Sequence, residues 1–462
     1  MDIGEQKQLF VDDFMIERLD GVEQVMHPAV KDPGNPILAP ENPDEDMFLV
    51  GFGNVLYDQE ERIYKMWYER WDSLWSYEDI HVRYAESHDG LQWEQPDLGL
   101  VEYEGTRHNN IVLRGPAAHR EVSSGNVIKD LHDRDPARRY KLLTWSADEQ
   151  GQRGVCVFFS PDGIHWAANP TNPVIPYDPA ARNIGDCHRA LGWDEARGCY
   201  IGLLRPGGLP RRIGRSESRD FVHWPLPETV IAPDDEDPAT TQFYCMPTLL
   251  YEGVYMGMLY ILANSGGATP RATDNAGPDT METQLATSRD TIHWERRWRT
   301  PFIPVGPAGS FDCGMILAAH PIVSGDEIRI YYGGFNVLHS TPQPSERAAI
   351  GLARVRLDGF VSVDGGSGSG SLTTKAFQFK GTRLEVNADA SRGQVTVEVL
   401  DEGQRPLSGF GHAQCAPIRG DSLRYEVRWG RDGQLAALQG RPIRLRFCLR
   451  DASLYAFQFR VV

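Results

Sequence analysis

The chain has 462 residues, 41% of them hydrophobic and 10% aromatic, with a formal net charge of −17. That is room for two or three ordinary globular domains; the charge opposes nucleic acid and anionic membrane as partners, and no apolar run is long enough to span a bilayer. The seven cysteines are scattered and odd in number, which argues against a disulfide framework. The first seven residues show no basic segment followed by an apolar one. A cytoplasmic location is therefore expected, or a secreted or periplasmic one if a leader has been removed.

In chain order, residues 8–16 read as a strand expected to pack on, or close, the last of a series of repeated units. Residues 53–58 and 62–68 then form a pair of strands separated by turn residues. The same arrangement returns at 125–130 with 140–145, at 189–194 with 199–204, at 247–252 with 255–262, and at 318–323 with 327–332. Each is a period-2 or continuous apolar run, the signature of strands. After four of these pairs comes one phrase: Ser87-His88-Asp89-Gly90-Leu91-Gln92-Trp93, then its counterparts 160–166, 218–224 and 288–294. A degenerate fifth copy is Arg356-Leu357-Asp358-Gly359-Phe360. Asp can bond backbone amides in a turn, and Gly accepts positive φ. The phrase is therefore expected between the third and fourth strands of a repeated four-stranded unit, with the Trp packing between units. A repeat at this spacing points to an all-β chain built as a five-bladed β-propeller. Residues 1–364 are assigned to it, 1–40 being an N-terminal strand segment. Residues 365–371, rich in Gly and Ser, read as a flexible joint. Residues 372–462 alternate apolar and polar positions and read as a small C-terminal β-sandwich.

In such a meander, the start of the first strand and the end of the second share one face, opposite the repeated turn. Candidate chemistry is therefore sought at the first-strand starts. A carboxylate there is costly unless paired or used, which singles out Asp186 and Asp312, with Glu121 and Asp46 as further acids. His188, Arg189, Arg205, Glu69, Trp71, Gln242 and Tyr244 are expected to bind substrate, since cations, amides and aromatic faces suit sugar hydroxyls and rings. Cys187, Cys245 and Cys313 occupy matching places, but no paired spacing supports a metal site, and neither a metal nor a cofactor is expected.

Five blades followed by a β-sandwich resembles the invertase/levanase and arabinanase/xylosidase glycoside hydrolases. Asp186-Cys187 stands where the invertase-like group carries a Glu-Cys pair whose Glu is the general acid. The Asp of that group's first blade and the Arg-Asp-Pro of its second are not matched, and Arg134-Asp135-Pro136 falls in a hairpin and is not transferred. Longer phrasing, including Leu9-Phe10-Val11-Asp12-Asp13 and Leu454-Tyr455-Ala456-Phe457-Gln458-Phe459, is similar to a group of bacterial propeller proteins described only as glycoside-hydrolase-like. The resemblance implies a glycosidase acting on a furanoside or fructoside, with Asp186 as acid; the inner-strand positions then offer Asp312 as the second carboxylate, with Asp46 and Glu121 as substitutes. Phosphorolysis or transglycosylation, and non-catalytic carbohydrate binding, stand as alternatives. A carbohydrate is the expected partner, and a homo-oligomer is left open.

Overall fold

The computed structural model describes residues 1–41, 47–71, 79–116, 120–263, 279–339, 347–430 and 434–461. These form strands and short 3₁₀ turns, with no α-helix among the described residues. The chain divides into two compact units. One comprises Val30–Ile322 and Arg329–Arg354, the other Met1–Ala29, Val323–Ile328 and Val355–Val462.

The larger unit contains antiparallel meanders. The first runs Met47–Asp58, Ile63–Trp71, His81–Ser87, Ile111–Leu113. The second runs Ser123–Lys129, Tyr140–Ala147, Arg153–Ser160, with Ala167–Ala168 and Ile175–Pro176 on its outer edge. The third runs Ile184–Asp194, Cys199–Pro206, Ile213–Ser218, Glu228–Ile231. A ten-stranded sheet holds the other two, joined by one parallel bridge between Met281 and Met315. In each of the first three meanders the first strand's start pairs with the second strand's end, as in Leu49 with Glu69, Ser123 with Trp145, and Ile184 with Pro206.

The repeated phrase follows the third strand of the first four meanders. The Asp carboxylate accepts from the backbone N–H groups two and three residues on, at 2.7–2.9 Å in all four copies. The next residue has positive φ: Gly90 and Gly163, but also Phe221 and Thr291. In the fifth copy the positive φ falls on Asp358 itself. Asp358 instead takes the Lys7 ammonium at 2.9 Å and the Asn387 amide at 2.9 Å, within the smaller unit.

That unit is one nine-stranded sheet. Its long strand Arg383–Leu400 pairs by its first half with Ala452–Arg460 and by its second with Arg444–Arg450. Leu384, Val397, Phe447, Phe457 and Phe459 are sealed in its core. Two expectations change here. Residues 365–371 are no free joint: Val361–Gly365 and Gly370–Thr374 are strands of this sheet, each hydrogen-bonded on both sides. Gln8–Leu9 pairs with Ala452–Arg460, while the segment that closes the last meander is Val30–Lys31, against Arg354 and Ala353.

The meanders of the larger unit are tied by polar bonds at their inner strands. Asn54 bonds both backbone groups of Val127, and Asn126 both of Ala190, at 2.8–3.0 Å. Arg189, fully buried, donates from the third meander to the carbonyls of Gly125 in the second and Gly51 in the first. Tyr260 of the fourth donates to Gly51 at 3.1 Å and to Ala318 of the fifth. Glycine at 51 permits this approach, because an added Cβ would lie 2.4 Å from the Leu317 carbonyl oxygen. Arg189→Met is expected to destabilise the protein by about 2–5 kcal/mol, since buried carbonyls lose their donor; urea unfolding measures it. Wild-type stability in the variant would remove Arg189 as the central tie.

Candidate functional site

The predicted residues gather where first strands begin and second strands end, and the structure gives them different roles. Between Ile184 and His188 the register slips by a bulge opposite Arg205, a feature that re-aims side chains. Cys187 within it has φ 72°. Asp186, partly exposed on this bulge, forms an ion pair with Arg205 Nη2. Its partner stabilises the carboxylate anion, the opposite of what the expected acid role needs.

Arg205 is buried, and its Nη1 has no hydrogen-bond partner among the described residues. Its guanidinium lies 4.8 Å from the Tyr244 ring centre, and Arg211 lies 5.0 Å from the same centre. Gln242 holds Arg211 Nη1 through its side-chain oxygen. His339 meets the edge of Tyr244 at 5.3 Å. Burial, with Arg211 and Arg205 nearby, pushes the His339 imidazole down to about 4 despite Asp279, so it is neutral at pH 7.

Glu69 was expected to bind hydroxyls, yet it is 1% exposed. Its carboxyl oxygens accept from the Trp71 indole at 2.8 Å and the Ser124 backbone N–H at 2.6 Å. Burial outweighs these donors and Arg189, and the charge of Glu121 adds to it, so the Glu69 carboxyl is raised well above the ordinary range. Glu121, also buried, accepts from Ser123 at 2.8 Å and from the Arg153 guanidinium. Glu69 and Glu121 are thus two interacting carboxyl groups. Arg153, absent from the sequence reading, is the cation that holds the second.

Asp312 is accounted for differently. It accepts from Lys31 at 2.5 Å, Tyr332 at 3.0 Å and Ser310 at 2.7 Å. Lys31 lies on the strand that closes the last meander. These partners make Asp312 a tie at that closure, in place of the catalytic role expected of it. Arg189 is likewise consumed by backbone carbonyls rather than held ready for substrate. His188 is sealed against Trp145, their rings 6.1 Å apart, and burial beside Arg189 pushes its imidazole down to about 3. Asp46 lies outside the described residues. Asp135 accepts from the Ala137 backbone N–H in a 3₁₀ turn, consistent with leaving Arg134-Asp135-Pro136 out of the chemistry.

Cys187 and Cys245 share a thiol hydrogen bond, and burial pushes the Cys187 thiol up. Among the described residues no three His, Cys, Asp or Glu side chains are arranged to hold a metal ion. A cavity of about 470 Å³ opens beside Phe48, Arg70, Arg83, Tyr103 and Asn110 in the first meander. None of the predicted site residues among those described lines it. No described helix is long and apolar enough to cross a membrane.

No family model matches the chain, and no curated protein matches it. Solved structures do. One described as "a putative glycoside hydrolase" from Bacteroides ovatus is 15% identical, with a TM-score of 0.50 over 71% of this chain and 97% of its own. A thermostable family-43 glycoside hydrolase gives 16% and 0.48, over 73% and 96%. The Bombyx mori GH32 β-fructofuranosidase gives 12% and 0.46, over 95% and 94%. The likeness is one of fold, which is all-β and propeller-like.

Lys31→Met is expected to lower stability by about 3–5 kcal/mol, by leaving the buried Asp312 carboxylate without its cation. Unfolding curves measure this, and an unchanged midpoint would count against the closing role.

Proposed function

We propose that this chain is a glycoside hydrolase acting on a small sugar or oligosaccharide of furanoside or fructoside type. Glu69 carries the reading: a buried carboxyl group raised well above the ordinary range, with a second carboxylate, Glu121, acting on it. Glycosidic cleavage needs one carboxylic acid holding a proton at neutral pH and one carboxylate held ionised. Glu69 takes the first role. The Trp71 indole, now bonded to Glu69, gives way to the glycosidic oxygen. Asp186, partly exposed and beside Arg205, takes the second role, as base or nucleophile. This moves the acid role from Asp186 to Glu69, first expected to bind substrate, and gives Asp186 the second role first expected of Asp312. Glu121 helps keep Glu69 protonated. The five meanders are, in the same reading, five propeller blades, and the nine-stranded sheet is the accompanying β-sandwich.

The supporting arguments are the environments of the carboxyl groups and the fold likeness, which by itself does not assign chemistry. Against a panel of aryl furanosides and pyranosides, wild type is expected to turn over at least one member. Glu69→Gln and Asp186→Asn should each lose on the order of 10²–10⁴-fold in kcat/KM with an unchanged circular dichroism spectrum. Full activity in either variant overturns its assignment. Turnover that requires inorganic phosphate would mean phosphorolysis, and sugar binding without turnover would mean a binding protein.

The pH profile gives a separate check. The protonated form of Glu69 is the active one, and its pKa is raised. Activity should therefore fall as pH rises through that pKa, the alkaline limb of a profile whose acid limb belongs to the ionised second carboxylate. An alkaline limb unchanged in residual Glu69→Gln turnover would assign the proton to another group.

A further inference from the structure

Arg205 and Arg211 sit within about 5 Å of one aromatic ring, in a chain whose net charge is −17. Two guanidiniums this close repel, and burial adds to the cost of the first. The described groups facing them offset it only in part. Asp186 neutralises Arg205, and Gln242 gives Arg211 a neutral oxygen. Tyr244 offers its ring and a side-chain hydrogen bond to Arg205, and the Cys245 thiol, pulled down to about 6 despite burial by its bond with Cys187 and by Arg189 and Arg205, adds a partial negative charge. His339 is uncharged at pH 7, with Asp279 beside it. Arg189, a third cation, lies on the same strand as Asp186 and spends its donors on backbone carbonyls. One positive charge in the Arg205–Arg211 pair therefore has no carboxylate against it among the described residues.

The unused donors point to what would supply that charge. Arg205 Nη1 is buried and has no hydrogen-bond partner there. Arg211 is half-buried, and only its Nη1 is engaged. Leaving a buried N–H without an acceptor costs about 1–3 kcal/mol, and here the N–H carries charge. Two guanidiniums beside one ring, each with N–H groups unused among the described residues, suit an anion with two oxygen atoms. Neutral sugar hydroxyls would satisfy the N–H groups but not the charge.

We propose that Arg205 and Arg211 on Tyr244 form a subsite for a carboxylate-bearing sugar, so that the preferred glycoside is acidic, of the uronic acid type. The proposal rests on the reading that this mouth binds a sugar, and it leaves the catalytic assignment untouched.

Binding to the intact Glu69→Gln protein separates the two, because it needs no turnover. Isothermal titration would compare methyl glucuronide and methyl galacturonide with methyl glucoside and methyl galactoside, and with galactose 6-sulfate. A uronide is expected to bind at least about tenfold tighter than its neutral parent, roughly what one charge-assisted bond contributes. Arg211→Gln should erase that ratio, and Arg205→Lys should reduce it, with both variants folded by circular dichroism. Equal binding of uronide and neutral parent overturns the subsite, even if neutral glycosides are hydrolysed by the wild type. A preference for the sulfate ester overturns the carboxylate assignment. A uronide preference that survives Arg211→Gln overturns the role of the stacked pair. Turnover of neutral glycosides by the wild type tests the hydrolase reading independently.

Discussion

The guanidinium of Arg189 is the constraint on which the larger unit depends. A charge fully removed from water is tolerated only when its donors are used. Both terminal nitrogens of Arg189 are so used, on the carbonyls of Gly51 and Gly125 in two other meanders, while Tyr260 of the fourth links Gly51 to Ala318 of the fifth. These bonds run between inner strands that are distant in sequence, so none can form until the meanders have assembled. They also fix what lies next to them. Asp186, three residues before Arg189 and on the bulge, is thereby held at the strand's outer start beside Arg205.

The same centre sets the electrostatics of the mouth. Glu69 sits near Arg189, which favours its charge, yet burial outweighs that attraction and the group is raised. His188, on the other side, is pushed to about 3 by burial and by the same guanidinium. Burial thus keeps the imidazole neutral with the cation's help, and keeps the carboxyl neutral against it. Desolvation acts against the charged form whatever its sign, while the Coulomb effect changes sign with the group.

How much the sequence revealed depends on how local each interaction is. The repeated phrase was legible because the Asp bonds its own backbone two and three residues on, so the motif and the turn are the same object. Positive φ at Phe221 and Thr291 shows that the Asp, rather than Gly, is its constant element. The fifth copy misled because matching letters do not share a register: there the positive φ belongs to Asp358. That first-strand starts and second-strand ends share one face was legible from strand direction alone. Lys31 was not, since nothing in Ala29-Val30-Lys31-Asp32 signals that it meets Asp312, 281 positions away. Glu69 was placed at the end of its strand but given the wrong exposure, because the Ser124 amide and Trp71 indole that cover it come together only when two meanders meet.

Asp186 and Asp312 began as equivalent candidates, each an acidic residue at the start of an inner strand, and each turned out to have a cation beside it. Ion pairing therefore does not distinguish a structural carboxylate from a functional one. Saturation does. Both oxygens of Asp312 are filled by Ser310, Lys31 and Tyr332, and that accounts for a buried charge without a ligand. Asp186 has one partner and partial exposure, and that partner has a buried nitrogen with nothing to bond among the described residues. A polar cluster that closes on itself belongs to the fold. One whose hydrogen-bond count stays incomplete among the described residues leaves room for a further acceptor, which the proposed carboxylate of the sugar would supply at Arg205.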